Sequence, residues 1–370
     1  MTDLWNIYTP IHIYIYTHVC FFQKQFGMVL RRGNKIKNFN FFLPILISAC
    51  AIPTSMMFWS INVLYSTLSS DTDNYNNEEF SQMIPPWRWL AAVIIPLLFM
   101  FWGLRKKSMN LNGALAGMVV GFILTLTNLC HLISLATFFV TGSKATKFRS
   151  NIKKNQERDF KEGGQRSWAH VVCNAGVATH LALLYLLDVG CGERPIDFDK
   201  YYRSSWLSIG ILASFACCNG DTWASEFGTV IGTGDPFLIT TRKRVPRGTN
   251  GGVSWFGLLF STLGGLIVGL TSYLTILYTV DTVALESAAP QWPVIVICGM
   301  AGLIGSLIDS ILGATLQYTG IDEEGFIVAK PGKGVKHISG KQLLDNHCVN
   351  LVSTIIIALT LPKVANLIWP

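Results

Sequence analysis

The chain has 370 residues, 50% of them hydrophobic and only 14% charged, with a formal net charge of +7 and a mean hydropathy of +0.40. A soluble domain carries about 25% charged residues, so this balance excludes an ordinary soluble enzyme and points to a polytopic membrane protein, whose apolar runs approach the roughly 20 residues a bilayer requires. The positive charge sits in a few loops between those runs, as the positive-inside rule expects. With no stacking platform beside it, nucleic acid is not a partner the sequence points to.

Along the chain, "IHIYIYTHVC" (11–20) alternates β-branched residues with His and Tyr, and its flanks are too polar for a signal peptide. Residues 1–37 are therefore set apart as a divergent N-terminal segment, and 38–370 are expected to form one multi-pass membrane domain. Apolar runs follow at about 41–66, 88–104, 111–141, 168–189, 205–230, 254–279, 291–318 and 347–369. Basic stretches at 31–37, 105–107, 144–166, 242–247 and 330–341 alternate with acidic or neutral ones at 71–80, 190–203 and 280–290.

All basic loops fall on one face, the cytosolic one, only if 111–141 is two short helices breaking near Asn128. The expected fold is thus an all-α helical bundle of about eight or nine transmembrane or re-entrant helices, in an endomembrane such as the endoplasmic reticulum. The 144–166 loop, with eight Lys or Arg against three acids, reads as a solvated juxtamembrane loop or as a grip on anionic headgroups. The nine cysteines contain no CxxC pair, so they are expected as reduced, mostly buried thiols. His131, His170 and His180 are expected to pack, while His337 and His347 lie nearer the candidate site.

Acids inside apolar runs are costly and call for a function. In "ACCNGDTWASEFGTVIG" (216–232), Asp221 lies about 24 Å along a helix starting near Ser205, and Asp309 lies about 25 Å along the run starting near Trp292. Both depths are close to the basic-loop face. Ser306, Asp309, Gly313 and Gln317 form one small-and-polar stripe, whose glycines suit helix packing but whose aspartate does not need it. Asp221 and Glu226 are five residues apart and diverge by about 140° on an ideal helix, so joint chelation needs a break, which Gly220 permits.

Lys144 closes the 111–141 hairpin on the same face, and Asp345 and Asn346 precede the last helix there. Next to the first acids comes "TTRKRVPRGTNGGVSWFG" (240–257). Arg242, Lys243 and Arg244 lead into Thr249, Asn250, Gly251 and Gly252, a turn whose free N–H groups suit phosphate oxygens. Acids for Mg²⁺, cations and N–H donors for phosphate, and a hydrocarbon approach describe phosphoryl transfer on a lipid.

The motifs "GDTWASEFG", "VPRGTNGGVSWFGLLFSTLGG", "GSLIDSILGATLQYTG" and "LLDNHCVNL" resemble the integral-membrane family catalogued as domain-of-unknown-function 92. "KEGGQR" and "APQWP" are similar to its vertebrate members. The resemblance covers roughly 38–370; residues 11–37 fit it poorly, and Cys218-Asn219 replaces a more usual pair of small residues. The family includes phytyl-phosphate kinases, so the resemblance implies a prenyl-phosphate kinase using CTP or another nucleotide. On that reading Asp221 and Asp309 hold Mg²⁺ and act catalytically with Glu226. Lys144, Arg242, Lys243, Arg244 and residues 249–252 bind phosphates, and Asp345 and Asn346 complete the site. The partners are membrane lipids, an isoprenoid phosphate and a nucleotide. A transporter or channel, and a non-catalytic scaffold, are the alternatives.

Overall fold

The structure is a computed structural model that describes residues 56, 59–60, 84–148, 165–231 and 234–369. The chain divides into two units, Met1–Cys50 and Ala51–Pro370. The first unit, which takes in the divergent segment 1–37, lies outside the described residues, as does most of the 41–66 run.

Among the described residues the fold is helical. The elements are α1 (Pro86–Arg105), α2 (Leu111–Thr127), α3 (Leu129–Lys147), α4 (Trp168–Asp188), α5 (Tyr202–Ile231), α6 (Trp255–Thr279), the short α7 (Thr282–Glu286), α8 (Pro293–Leu316) and α9 (Asn346–Ile368). A two-stranded ribbon, β1 (Phe237–Leu238) and β2 (Gly252–Val253), lies between α5 and α6. Strands β3 (Thr319–Ile321), β4 (Ile327–Val328) and β5 (Lys336–Ser339) form an antiparallel sheet of order β4-β3-β5 between α8 and α9. Helices α1, α4, α6, α8 and α9 are each long and apolar enough to cross a bilayer, and α2 is a shorter apolar helix.

The helix starts carry their own signals. Pro86 and Pro293 stand in the first turns of α1 and α8, where a missing N–H costs nothing. Asn110, Ser254 and Asp345 cap α2, α6 and α9 by accepting from Gly113 N, Gly257 N and Cys348 N. The 111–141 run breaks at Asn128, which ends α2 and caps α3 by accepting from Cys130 N at 2.7 Å.

That break puts the loops in two groups. At one end Arg88 donates to Thr127 O (3.3 Å) and pairs with Glu193. Glu193 also accepts from Leu129 N, and Gln291 exchanges hydrogen bonds with Ile196. At the other end Arg166 forms a β-bridge with Met109, Lys147 donates to Lys106 O, and Asn250 donates to Thr319. The described basic segments around 105–107, 144–147 and 166 and the basic ribbon before α6 thus share one end of the bundle.

Helix α5 is the axis, packing on α3, α4, α6, α8 and α9. Its stretch from Ile209 to Asn219 is buried throughout. Gly220 does not break it: the helix runs unbroken for 30 residues. A Cβ on Gly220 would lie 2.6 Å from Gly302 Cα and 2.7 Å from Ser261 O, so this glycine is where the backbones of α5, α6 and α8 meet. Among the described cysteines, Cys130, Cys191, Cys217, Cys218 and Cys298 are buried free thiols, and His131 is a core residue within hydrogen-bonding distance of Thr127 and Ser208.

Candidate functional site

Because α5 and α8 cross at Gly220 and Gly302, the stretches of the two helices beyond the crossing, toward the basic-loop end, bring Asp221 and Asp309 together. Ser306, one turn before Asp309 on α8, donates to Asp221 Oδ1 at 3.5 Å. Asp309 lies near Asp221, and Ser353 on α9 is within hydrogen-bonding reach of Asp309. Asn350, one turn before Ser353, closes the group. With its NH₂ turned to the acceptors, it donates to Asp309 Oδ2 (3.1 Å) and Asn346 O (2.9 Å) and lies 3.2 Å from Asn174 of α4. Both carboxylates are half-buried, and neither has a basic side chain in ion-pair contact among the described residues.

A second polar group adjoins this one across α3 and α4. Arg166, just before α4, donates to Ser143 Oγ at 2.8 Å and lies over the rings of Phe138 and Phe139. Gly142 leaves it room: a Cβ there would lie 2.9 Å from Arg166 Nη2 and 3.6 Å from the methyl of Thr222, the residue after Asp221. The rings of His170 and His347 stand 4.1 Å apart. They bring a histidine expected only to pack against one expected near the site.

The other predicted site residues are placed differently. Glu226 follows Asp221 on an unbroken helix and therefore points about 140° away from it, so the break that would have joined them is absent. Lys144 is exposed on the last turn of α3. Arg242, Lys243 and Arg244 are exposed between β1 and β2, with Arg244 stacked on Phe237 at 5.3 Å.

The Gly-rich turn is occupied by the protein itself. Asn250 gives both its N–H and its amide to Thr319 Oγ1, Gly252 N donates to Thr249 O, and Thr249 Oγ1 donates to Pro246 O. Gly251, at φ +80, sits against α8, where a Cβ would come 2.4 Å from that of Ala314. The N–H groups of Thr249, Asn250 and Gly252 thus hold the ribbon to β3 and to itself, which leaves fewer free donors for phosphate than expected. Asp345 is exposed and acts as the cap of α9. Partial burial works against its charge, but the Cys348 N–H outweighs that and holds the carboxyl below its ordinary range.

Arg166 and Asn174 escaped notice because one lies at the edge of a polar loop and the other within an apolar run. Asn350 is present in the "LLDNHCVNL" motif. The available signal was its spacing, four residues after Asn346 and so on the same helix face.

Among the described residues, five helices long and apolar enough to cross a bilayer make this a multi-pass integral membrane protein, with an interior acid pair at the basic-loop end. The chain belongs to the family described as "Integral membrane protein DUF92", which it matches over residues 94–358. It is 42% identical to Protein PGR of Arabidopsis thaliana over 273 residues, covering 74% of this chain and 94% of that protein. It is 30% identical to Protein VTE6, chloroplastic, of the same plant over 244 residues, 64% of this chain and 65% of the relative. An uncharacterized membrane protein of Methanocaldococcus jannaschii is 26% identical over 271 residues, 73% of this chain and 91% of the relative. No solved structure matches the chain.

Proposed function

We propose that this protein is a lipid-phosphate kinase-like transferase. It moves a phosphoryl group from a nucleotide such as CTP to an isoprenoid monophosphate, at the cytosolic face of an endomembrane such as the endoplasmic reticulum. The observation that carries this reading is the pair Asp221 and Asp309, whose neighbours are hydroxyls and amides with no basic partner in ion-pair contact among the described residues. Two adjacent carboxylates stay ionised together only when a cation lies between them.

The donor set fits Mg²⁺, which takes one or two carboxylates and completes its shell with water and phosphate oxygens. No third His, Cys, Asp or Glu joins them in a metal-holding group among the described residues, unlike the closed set of a structural zinc site. Asp221 and Asp309 would hold the ion, which supplies neutralisation of phosphate charge when bound. Ser306, Ser353 and Asn350 orient the carboxylates. The exposed Arg242, Lys243 and Arg244, on a ribbon anchored to the same end of α8, are the cations for the nucleotide. Lys144, Asp345 and Asn346 lie at that end as rim residues. The resemblance to phytyl-phosphate kinases supports the choice of acceptor.

The test is a transfer assay on purified protein with isoprenyl monophosphates, each nucleoside triphosphate and Mg²⁺. Asp309→Asn, nearly isosteric, should keep the fold and lower the rate about a hundredfold or more. Normal transfer by Asp309→Asn rejects the metal role, and no transfer from any nucleotide by the wild type returns the protein to the transporter or scaffold reading.

A further inference from the structure

Between α1, α2, α3 and α4 runs a narrow, partly open cleft with a cavity volume of about 70 Å³. Pro96, Phe99, Met118, Leu132 and Ala136 are typical of its walls. Its polar lining residues are Arg166, His170 and Asn174, all in or just before the first two turns of α4 and hence toward the basic-loop end. The cleft is therefore apolar along its length and cationic at its mouth.

Arg166 is the unusual member. A guanidinium offers five N–H donors, and the contacts of this one are the hydroxyl of Ser143 and the faces of Phe138 and Phe139. No carboxylate is in ion-pair contact with it among the described residues. Burial draws its pKa down from the ordinary guanidinium range to about 10, which leaves it charged at neutral pH. A cation drawn out of water without an anion is unfavourable, and the planar fork of Arg matches the paired oxygens of a phosphate or a carboxylate.

We propose that this cleft holds a single-chain lipid monophosphate, its chain lying between α1, α2 and α3 and its phosphate on Arg166. The apolar walls distinguish this ligand from free phosphate, which would gain nothing from them. The mouth of the cleft also meets the acid pair: Gly142 separates Arg166 from Thr222, beside Asp221, and Asn174 lies 3.2 Å from Asn350, which reaches Asp309. The assignment deepens the transferase reading by naming where its acceptor sits, and it rests on that reading for the phosphate's being a substrate.

Binding, measured without nucleotide, separates the two claims. Full-length protein in zwitterionic nanodiscs is titrated with farnesyl monophosphate, farnesol and inorganic phosphate. The monophosphate should bind most tightly. Arg166→Gln should weaken it about tenfold to a hundredfold, the range of a charge-assisted contact, and leave farnesol unchanged. Ala136→Phe, which fills the cleft and touches no charge, should weaken both lipids and decides the matter if Arg166→Gln does not fold. Wild-type affinity for the monophosphate in Arg166→Gln or in Ala136→Phe overturns the assignment, as does inorganic phosphate binding as tightly as the lipid. This binding pattern without transfer from any nucleotide would reject the transferase and leave the cleft assignment standing.

Discussion

Replacing Gly220 with Ala tests the packing that creates the acid pair. The added methyl would lie 2.6 Å from Gly302 Cα, 2.7 Å from Ser261 O and 2.9 Å from Gly302 O. Carbon contacts are most favourable at about 3.5–4.0 Å, so the shortfall is roughly 1 Å against main chain, which has no rotamer to escape into. Relief requires α5 to move away from α6 and α8 together. Overpacking of this kind costs about 1–3 kcal/mol, and two opposing backbones put Gly220→Ala at the upper end. Thermal unfolding can be followed with a thiol-reactive fluorophore, because the buried thiols of Cys217, Cys218 and Cys298 become reactive only as these helices part. The midpoint should fall by several degrees, at about 2–4 °C per kcal/mol for a domain of moderate size. Gly176 on α4 is the control, since a Cβ there meets only Val172 Cγ1 at 3.8 Å. Gly176→Ala should be neutral or slightly stabilising, as Ala is the better helix former. Equal midpoints for Gly220→Ala and wild type would refute the close three-helix crossing.

Mg²⁺–nucleotide at a hundredfold excess over its Kd should stabilise the wild type by about 2.7 kcal/mol, and Asp221→Asn should lose most of that gain in a thermal-shift series. An equal shift in both proteins would remove Asp221 from the site. Asp345→Ala should cost about 1 kcal/mol at neutral pH through loss of the α9 cap. Because the folded carboxyl titrates below its ordinary value of 3.8, the contribution of its charge is complete above that pH and fades as pH falls through the folded value. The gap between wild type and Asp345→Ala should therefore narrow in acid, and a gap that widens would contradict the depressed pKa. Single cysteines at positions 154 and 243 should react with a membrane-impermeant thiol reagent from one side of a sealed vesicle, and one at 199 from the other. Labelling of 154 and 243 from opposite sides would sink the topology.

Much of the frame could be read from the sequence because charge and hydrophobicity are local properties. The break at Asn128 follows from loop charge alone, since a single span over 111–141 would put two basic loops on opposite faces. The common depth of Asp221 and Asp309 follows from helix rise and from where each apolar run begins. What stayed hidden depended on distant partners. Gly220 reads equally well as a hinge and as a contact, and only the position of Gly302 decides between them. The 248–252 turn has the composition of a phosphate loop, but its Asn250 donors are taken by Thr319, 69 residues away. Arg166 looks like one more cation in a basic loop until Ser143 and Phe138 are seen to enclose it.

The turn at Asn128 also has a consequence for how the chain is made. Its open backbone groups are completed by a carboxylate that is synthesised later: Glu193 accepts from Leu129 N, 64 residues earlier, and pairs with Arg88, 105 residues earlier. Until the segment after α4 has left the ribosome, α1, α2 and α3 carry a guanidinium and a helix start with no acid to answer them. Polar groups of this kind, buried against the bundle, are costly without a partner. The α2–α3 hairpin is therefore expected to reach its final packing only after those 64 further residues have been added. A nascent chain stalled before Glu193 should be found unsettled and extractable, and one stalled well beyond it should be locked in place.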